Sequence, residues 1–151
     1  MPPRVPYDVA ELDVWIRPSE YDPPKAYVSV PDALEIVVSR RSSSTSRRFV
    51  YTCLDHLFEL LNRIERRESG RVLAGTGVMD VTVENETVTL YARPRLVGTV
   101  EETKAVVLRL IASVFEELAG AGLDTRERAR DVADRRSLTV DPIAVHDSVM
   151  N

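Results

Sequence analysis

Apolar positions change their spacing several times along this chain, and each change marks an expected element. Leu12, Val14 and Ile16 alternate with Asp13, Trp15 and Arg17, a period of two that predicts a short strand ended by Pro18. Residues 26–30 are a second short strand candidate. Leu34, Ile36 and Val38, alternating with Glu35, Val37 and Ser39, suggest a third. Pro31 also suits the first turn of a helix over 31–41, but the β-branched run Ile36-Val37-Val38 favours the strand.

From residue 45 to residue 68 the period lengthens. Val50, Leu54, Leu57, Phe58, Leu61 and Ile64 fall on one helical face, with Ser44, Thr45 or Ser46 placed to cap the first amides. Arg63, Arg66 and Arg67 suit the negative end of the helix dipole, and Gly70 is the expected left-handed stop. At about 1.5 Å per residue such a helix reaches about 36 Å, longer than a domain of this size requires, so part of it is expected to serve a partner.

Residues 78–93 form a hairpin when folded at Asn85-Glu86. Val83 then meets Val88, Val81 meets Leu90 and Met79 meets Ala92 on one face. Glu84 meets Thr87, Thr82 meets Thr89 and Asp80 meets Tyr91 on the other. Asn85 tolerates the positive φ of a two-residue turn, whereas Glu86 is less suited to it, which leaves a slightly longer loop open. A second helix is expected from Thr99, where Glu102 completes a capping box, to Gly120 or Gly122. Its apolar set (Val106, Val107, Leu110, Ile111, Val114, Phe115, Leu118) is broad enough to face two neighbours. Asp124 or Thr125 caps a short charged helix through Arg136, with Ala129, Val132 and Ala133 as its apolar side. Leu138-Thr139-Val140 is a candidate last strand.

These elements predict an α+β fold, an antiparallel sheet with two long helices. The ferredoxin-like order βαββαβ is one connectivity they allow. The first 31 residues hold seven of the nine prolines, with Tyr7, Trp15, Tyr21 and Tyr27 among them. They are expected to form an extended arm that packs through Trp15 and the Leu12, Val14, Ile16 face on a single α+β domain of residues 32–151.

Composition narrows the classes. With 151 residues, 44% of them apolar and 29% charged, the chain is long enough to bury one core and too apolar to be disordered throughout. It has no apolar run of membrane-spanning length and no secretory leader, which points to a cytoplasmic protein without a membrane partner. A single cysteine excludes an intramolecular disulfide, and Cys53, His56 and His146 are too few and too scattered to suggest a metal centre. The glycines match no phosphate loop, GxSxG, HExxH and CxxC are absent, and no cofactor is implied. Cys53 and His56, three apart on the expected helix, are the nearest thing to a nucleophile with its base. Cys53 lies at the margin of the apolar stripe, where a small half-buried thiol is ordinary, so no catalytic residue is assigned.

The formal charge of −4 conceals a basic stretch: residues 40–75 carry eight arginines against four acids. Within it, Arg40, Arg41, Ser44, Thr45, Ser46, Arg47 and Arg48 are a candidate anion site. Guanidinium groups, hydroxyls and the first helical amides would converge there on a phosphate-bearing ligand. The net negative charge disfavours nucleic acid as that ligand. The five arginines of 126–136 are interleaved with Glu127, Asp131 and Asp134 and read as salt-bridged helix surface. The leading expectation is a non-catalytic module that assembles with itself or a protein partner. It rests on the overlong helix, the broad stripe of the second helix, and an arm offering Trp15, Tyr21 and Tyr27 as interface residues.

Overall fold

Alternation and helical spacing become twelve elements in the computed structural model, which describes residues 7–8, 12–18, 34–40, 46–52, 54–74, 77–91, 96–120 and 122–150. In chain order they are β1 (Tyr7–Asp8), β2 (Leu12–Pro18), β3 (Leu34–Arg40), β4 (Ser46–Thr52), α1 (Leu54–Arg66), β5 (Gly70–Ala74), β6 (Gly77–Glu84), β7 (Thr87–Tyr91), β8 (Leu96–Thr99), α2 (Val100–Gly120), α3 (Thr125–Arg135) and α4 (Pro142–Met150). The fold is α+β. One sheet has the order β1-β8-β7-β6-β5, and β2-β3-β4 form a second.

The β6–β7 hairpin has the register that the alternation implies: Val83 opposite Val88, Val81 opposite Leu90, Thr82 opposite Thr89 and Asp80 opposite Tyr91. The expected partner of Met79, Ala92, lies outside the described residues. The turn needs no extra residue. Asn85 and Glu86 take φ of 48° and 67°, the two positive values a type I′ turn requires. Glu86 holds this uncommon conformation while its carboxylate accepts from Arg67 Nε at 2.5 Å and Nη2 at 3.0 Å, and its carbonyl accepts from Val100 N at 2.9 Å. The turn is thereby tied to the end of α1 and the start of α2.

Helix α2 begins as its capping box specifies. Thr99 N donates to Glu102 Oε1 at 2.9 Å, and Glu102 N donates to Thr99 Oγ1 at 3.1 Å. Asp124 caps α3 by accepting from Glu127 N at 3.1 Å. The apolar residues of α1 and α2 meet Val72, Met79, Val81, Val88, Leu90 and Leu96 of the sheet in one core. The breadth of the α2 stripe is used within the chain, because α1, α4, β8 and β2 all lie against this helix.

Four expectations are corrected. First, the segment from Ser46 to Thr52 is a strand and α1 starts only at Leu54, with β4 paired antiparallel to β3. Upstream of Leu54 the helical series holds only Val50, and Phe49, Val50, Tyr51 and Thr52 are side chains that favour a pleated surface. The helix is thus 13 residues, about 20 Å at 1.5 Å per residue, and has no projecting half. Second, its left-handed end is Arg67 at φ 53°, not Gly70. Arg67 N donates to Ile64 O at 3.1 Å and Glu68 N to Arg63 O at 2.9 Å, the pair of bonds that closes a Schellman end. Gly70 instead opens β5, where an added Cβ would come within 2.5 Å of an Arg63 guanidinium nitrogen.

Third, the ferredoxin-like order is replaced by a meander: α1 is followed by β5, β6, β7 and β8 in immediate succession, and only then by α2. Fourth, Leu138-Thr139-Val140 is no strand. Its amides at Thr139 and Val140 donate to Asn62 Oδ1 of α1 at 2.9 and 3.1 Å. The chain then enters α4, which the alternation did not suggest. Asp141-Pro142 is its start signal, with Asp141 Oδ1 accepting from Ile143 N at 3.0 Å and proline at the first helical position.

Of the first 31 residues, β1 joins the larger sheet parallel to β8. Strand β2 pairs antiparallel with β3, Trp15 opposite Val37, and runs beside α2. The expected strand at 26–30 lies outside the described residues.

Candidate functional site

Alternation along β6 and β7 gives the larger sheet two unlike faces. Met79, Val81, Val88 and Leu90 are buried under α1 and α2, while Asp80, Glu84, Thr87 and Tyr91 are exposed on the other side. No helix among the described residues lies on that second face. Near the β5 end it forms a shallow depression of about 400 Å³ lined by Ser69, Gly70, Arg71, Asp80, Val81, Thr82 and Tyr91. Tyr91 is the one large hydrophobic residue exposed among the described residues, at 43%. Arg71 Nε donates to Asp80 Oδ1 at 2.9 Å across the β5–β6 pair, and both side chains remain more than half exposed, 74% and 55%. The depression thus sets an aromatic ring with a polar tip beside a solvated charge pair.

The predicted anion residues fall elsewhere. Arg40 ends β3, and Ser46, Arg47 and Arg48 begin β4, opposite Ser39, Val38 and Val37. Arg41, Ser44 and Thr45 lie outside the described residues. Because β4 stands between this stretch and α1, the expected helix N-terminus is missing from the cluster, and only the density of arginine at one end of the β3–β4 hairpin remains. Among the expected interface residues Trp15 is in β2, while Tyr21 and Tyr27 lie outside the described residues, as does Cys53.

Two polar clusters escaped the sequence reading. Asp55, Glu59 and Asn62 occur at i, i+4 and i+7 on α1 and form a polar ridge beside its apolar face. Arg135 holds Asp55 through Nη2 at 2.7 Å and Nε at 3.1 Å, Arg136 reaches Asp55 at 3.4 Å and Glu59 at 3.5 Å, and Asn62 takes the two amides of the 139–140 bend. The Asp55 side chain is only 13% exposed. Burial alone would raise its carboxyl pKa, but the hydrogen bonds and charges of Arg135 and then Arg136 outweigh burial and leave it below its ordinary value. The i, i+4, i+7 spacing was legible, but its partners 77 to 81 residues away were not. Arg126 and Arg135 of α3, and Arg136 just after it, therefore reach across to α4 and α1.

The second cluster joins α3 to α4. His146 Nε2 lies 2.8 Å from Thr125 Oγ1 and Nδ1 lies 2.9 Å from Asp147 Oδ1, which also accepts from Arg126 Nε at 3.3 Å. The imidazole stands edge-on to Phe115, centroids 4.8 Å apart, in the floor of the core. The order hydroxyl, imidazole, carboxylate is that of a proton relay. Here each member ties the two helices together, and the ring is wedged on an aromatic side chain. The hydrogen bond from His146 and then that from Arg126 hold the Asp147 carboxyl below its usual value. Among the described residues no group of three or more His, Cys, Asp and Glu side chains is placed to hold a metal ion, and no helix is long and apolar enough to cross a membrane. No family model, no curated protein and no solved structure matches this chain.

Proposed function

We propose that this chain is a non-catalytic protein–protein interaction module that assembles through the open face of its larger sheet at β5, β6 and β7. One observation carries the proposal: α1 and α2 cover the same face, leaving Tyr91, Thr82, Arg71 and Asp80 around a shallow depression on the other. Tyrosine and arginine are the side chains that most often anchor protein contacts. The patch bears one positive and one negative charge side by side, so it is self-complementary. Two copies related by a two-fold axis exchange Arg71–Asp80 pairs across such a contact. Helix length and the α2 stripe do not add to this support, since α1 is short and the α2 stripe is satisfied within the chain.

Light scattering over tens of micromolar tests the proposal. The wild type is expected to associate, and Tyr91→Ala to weaken association by about tenfold or more, the scale of an interface anchor. Arg71→Asp or Asp80→Arg alone weakens it, and the two together restore it. A wild type that stays monomeric and also yields no crosslinked protein from a photoreactive side chain at position 91 overturns the proposal. The alternative, a phosphate-bearing ligand held by Arg40, Arg41, Arg47 and Arg48, now rests on charge density alone. It is separated by titration with inorganic phosphate or an oligonucleotide at low salt, where Arg47→Ala/Arg48→Ala abolishes binding and Tyr91→Ala leaves it unchanged.

A further inference from the structure

We propose that the α3–α4 hairpin is a reversible cover, which leaves α1 and α2 as one unit about the glycine hinge before α3 while the sheet and the α1–α2 core stay folded. The proposal is independent of whether the sheet face binds a partner. Four observations support it, beginning with the hinge. Helix α2 ends at Gly120, and Gly122 follows at φ +84°. The amides of Gly122 and Leu123 bond back to Ala119 O and Leu118 O at 3.0 and 3.1 Å, and neither glycine has a heavy atom within 4 Å of where a Cβ would stand, so no side chain obstructs a pivot at these two positions.

The hairpin is also tied internally. Thr125 on His146 at 2.8 Å and Arg126 on Asp147 at 3.3 Å link α3 to α4, and His146 and Asp147 are joined to each other at 2.9 Å, so the two helices move together. Its hydrogen bonds and ion pairs to α1 are numerous: Arg135 and Arg136 on Asp55, Arg136 on Glu59, and two backbone amides on Asn62. Finally, the apolar side chains that α3 buries are small, Ala129 and Val132, while Leu138, Val140, Ile143, Val145, Val149 and Met150 are only partly buried against the core. A segment with few fully buried apolar contacts and a charged attachment opens at lower free energy than the core it rests on. Opening uncovers Asp55, Glu59 and Asn62 along α1 and the edge of Phe115.

Hydrogen exchange of the full chain tests this. Amides in the middle of α3, residues 129–133, are expected to exchange at least about tenfold faster than those of β6, β7 and the middle of α2. Raising sodium chloride from about 0.05 to about 0.5 M accelerates α3 and α4 together by about threefold and leaves the sheet unchanged, because screening weakens the ionic attachment and not the buried core. Asp55→Ala gives about tenfold faster exchange in the hairpin with no change in β6 and β7. If that variant does not fold, the salt series on the wild type decides. The proposal is overturned if residues 129–133 exchange only with the slowest sheet amides, if α3 and α4 respond to salt separately, or if salt has no effect on either.

Discussion

In the body formed by the larger sheet, α1 and α2, side chains such as Phe58, Ile64, Val81, Ile111 and Phe115 have at most 1% of their surface left in water. The hairpin of α3 and α4, only a short glycine linker further on, fully buries little beyond Ala129, Val132, Pro142 and His146. It meets α1 through carboxylates, guanidinium groups and an amide instead. Burial of apolar surface is non-directional, grows with area and is indifferent to salt and acid, whereas the polar attachment needs particular atoms at particular distances and a charged carboxylate. One chain thus contains a region whose stability is set by volume and another whose stability is set by chemistry, and conditions that spare the first can release the second.

The largest expected effect erases the distinction. Phe58→Ala removes a fully buried ring that meets Phe115 at a centroid distance of 6.3 Å. It should cost about 3–5 kcal/mol, so that denaturant midpoints followed in the sheet and in the hairpin fall together. Asn62→Ala sharpens the distinction. It leaves the amides of Thr139 and Val140 without their acceptor, at about 1–2 kcal/mol for a partly exposed pair. The loss should appear in exchange of the 136–146 segment before it appears in β6 or β7.

Acid is a gentler probe of the same attachment. The Asp55 carboxyl lies below its ordinary pKa when folded, so its stabilisation is complete above the unfolded value of about 3.9 and is lost as pH falls through the lower folded one. Amide chemical shifts followed by NMR below about pH 4 should move in α3 ahead of β6 and β7, and Asp55→Asn should abolish that lead. The smallest effect is expected at the turn. Glu86→Gly trades an exposed ion pair with Arg67 for a residue that adopts φ of 67° without strain, so the Tm should change by no more than about 3 °C and by the same amount in both regions.

The elements that could be read from the sequence are those in which neighbours in the chain also settle the structure. The register of β6 and β7 followed from Val81, Val83, Val88 and Leu90, because a slip of one residue would turn all of them into water. The starts of α2 and α3 followed from Thr99 with Glu102 and from the Asp124-Thr125 pair, of which Asp124 is the cap, with capping partners three residues away. The 46–52 segment was misread because a helical period was extended upstream on Val50 alone, while its pairing with β3 is a contact between segments. For the candidate site, the polar side of Asp80, Thr82 and Tyr91 was visible in the alternation. Arg71 joined it only when β5 took its place beside β6.

The sequence by itself determined the α+β composition, the two-faced hairpin, the capping of α2 and α3 and the apolar stripes that meet in the core, all consequences of periodicity and of contacts spanning a few residues. Tertiary structure alone decided that four strands run consecutively between the two long helices, that Arg67 rather than a glycine ends α1, and that Asp55 holds Arg135. Each depends on groups that chain distance separates and packing brings together. Arg67 takes its left-handed conformation beside Glu86, 19 residues on, and Asp55 meets a guanidinium 80 residues on, where no local pattern records the encounter.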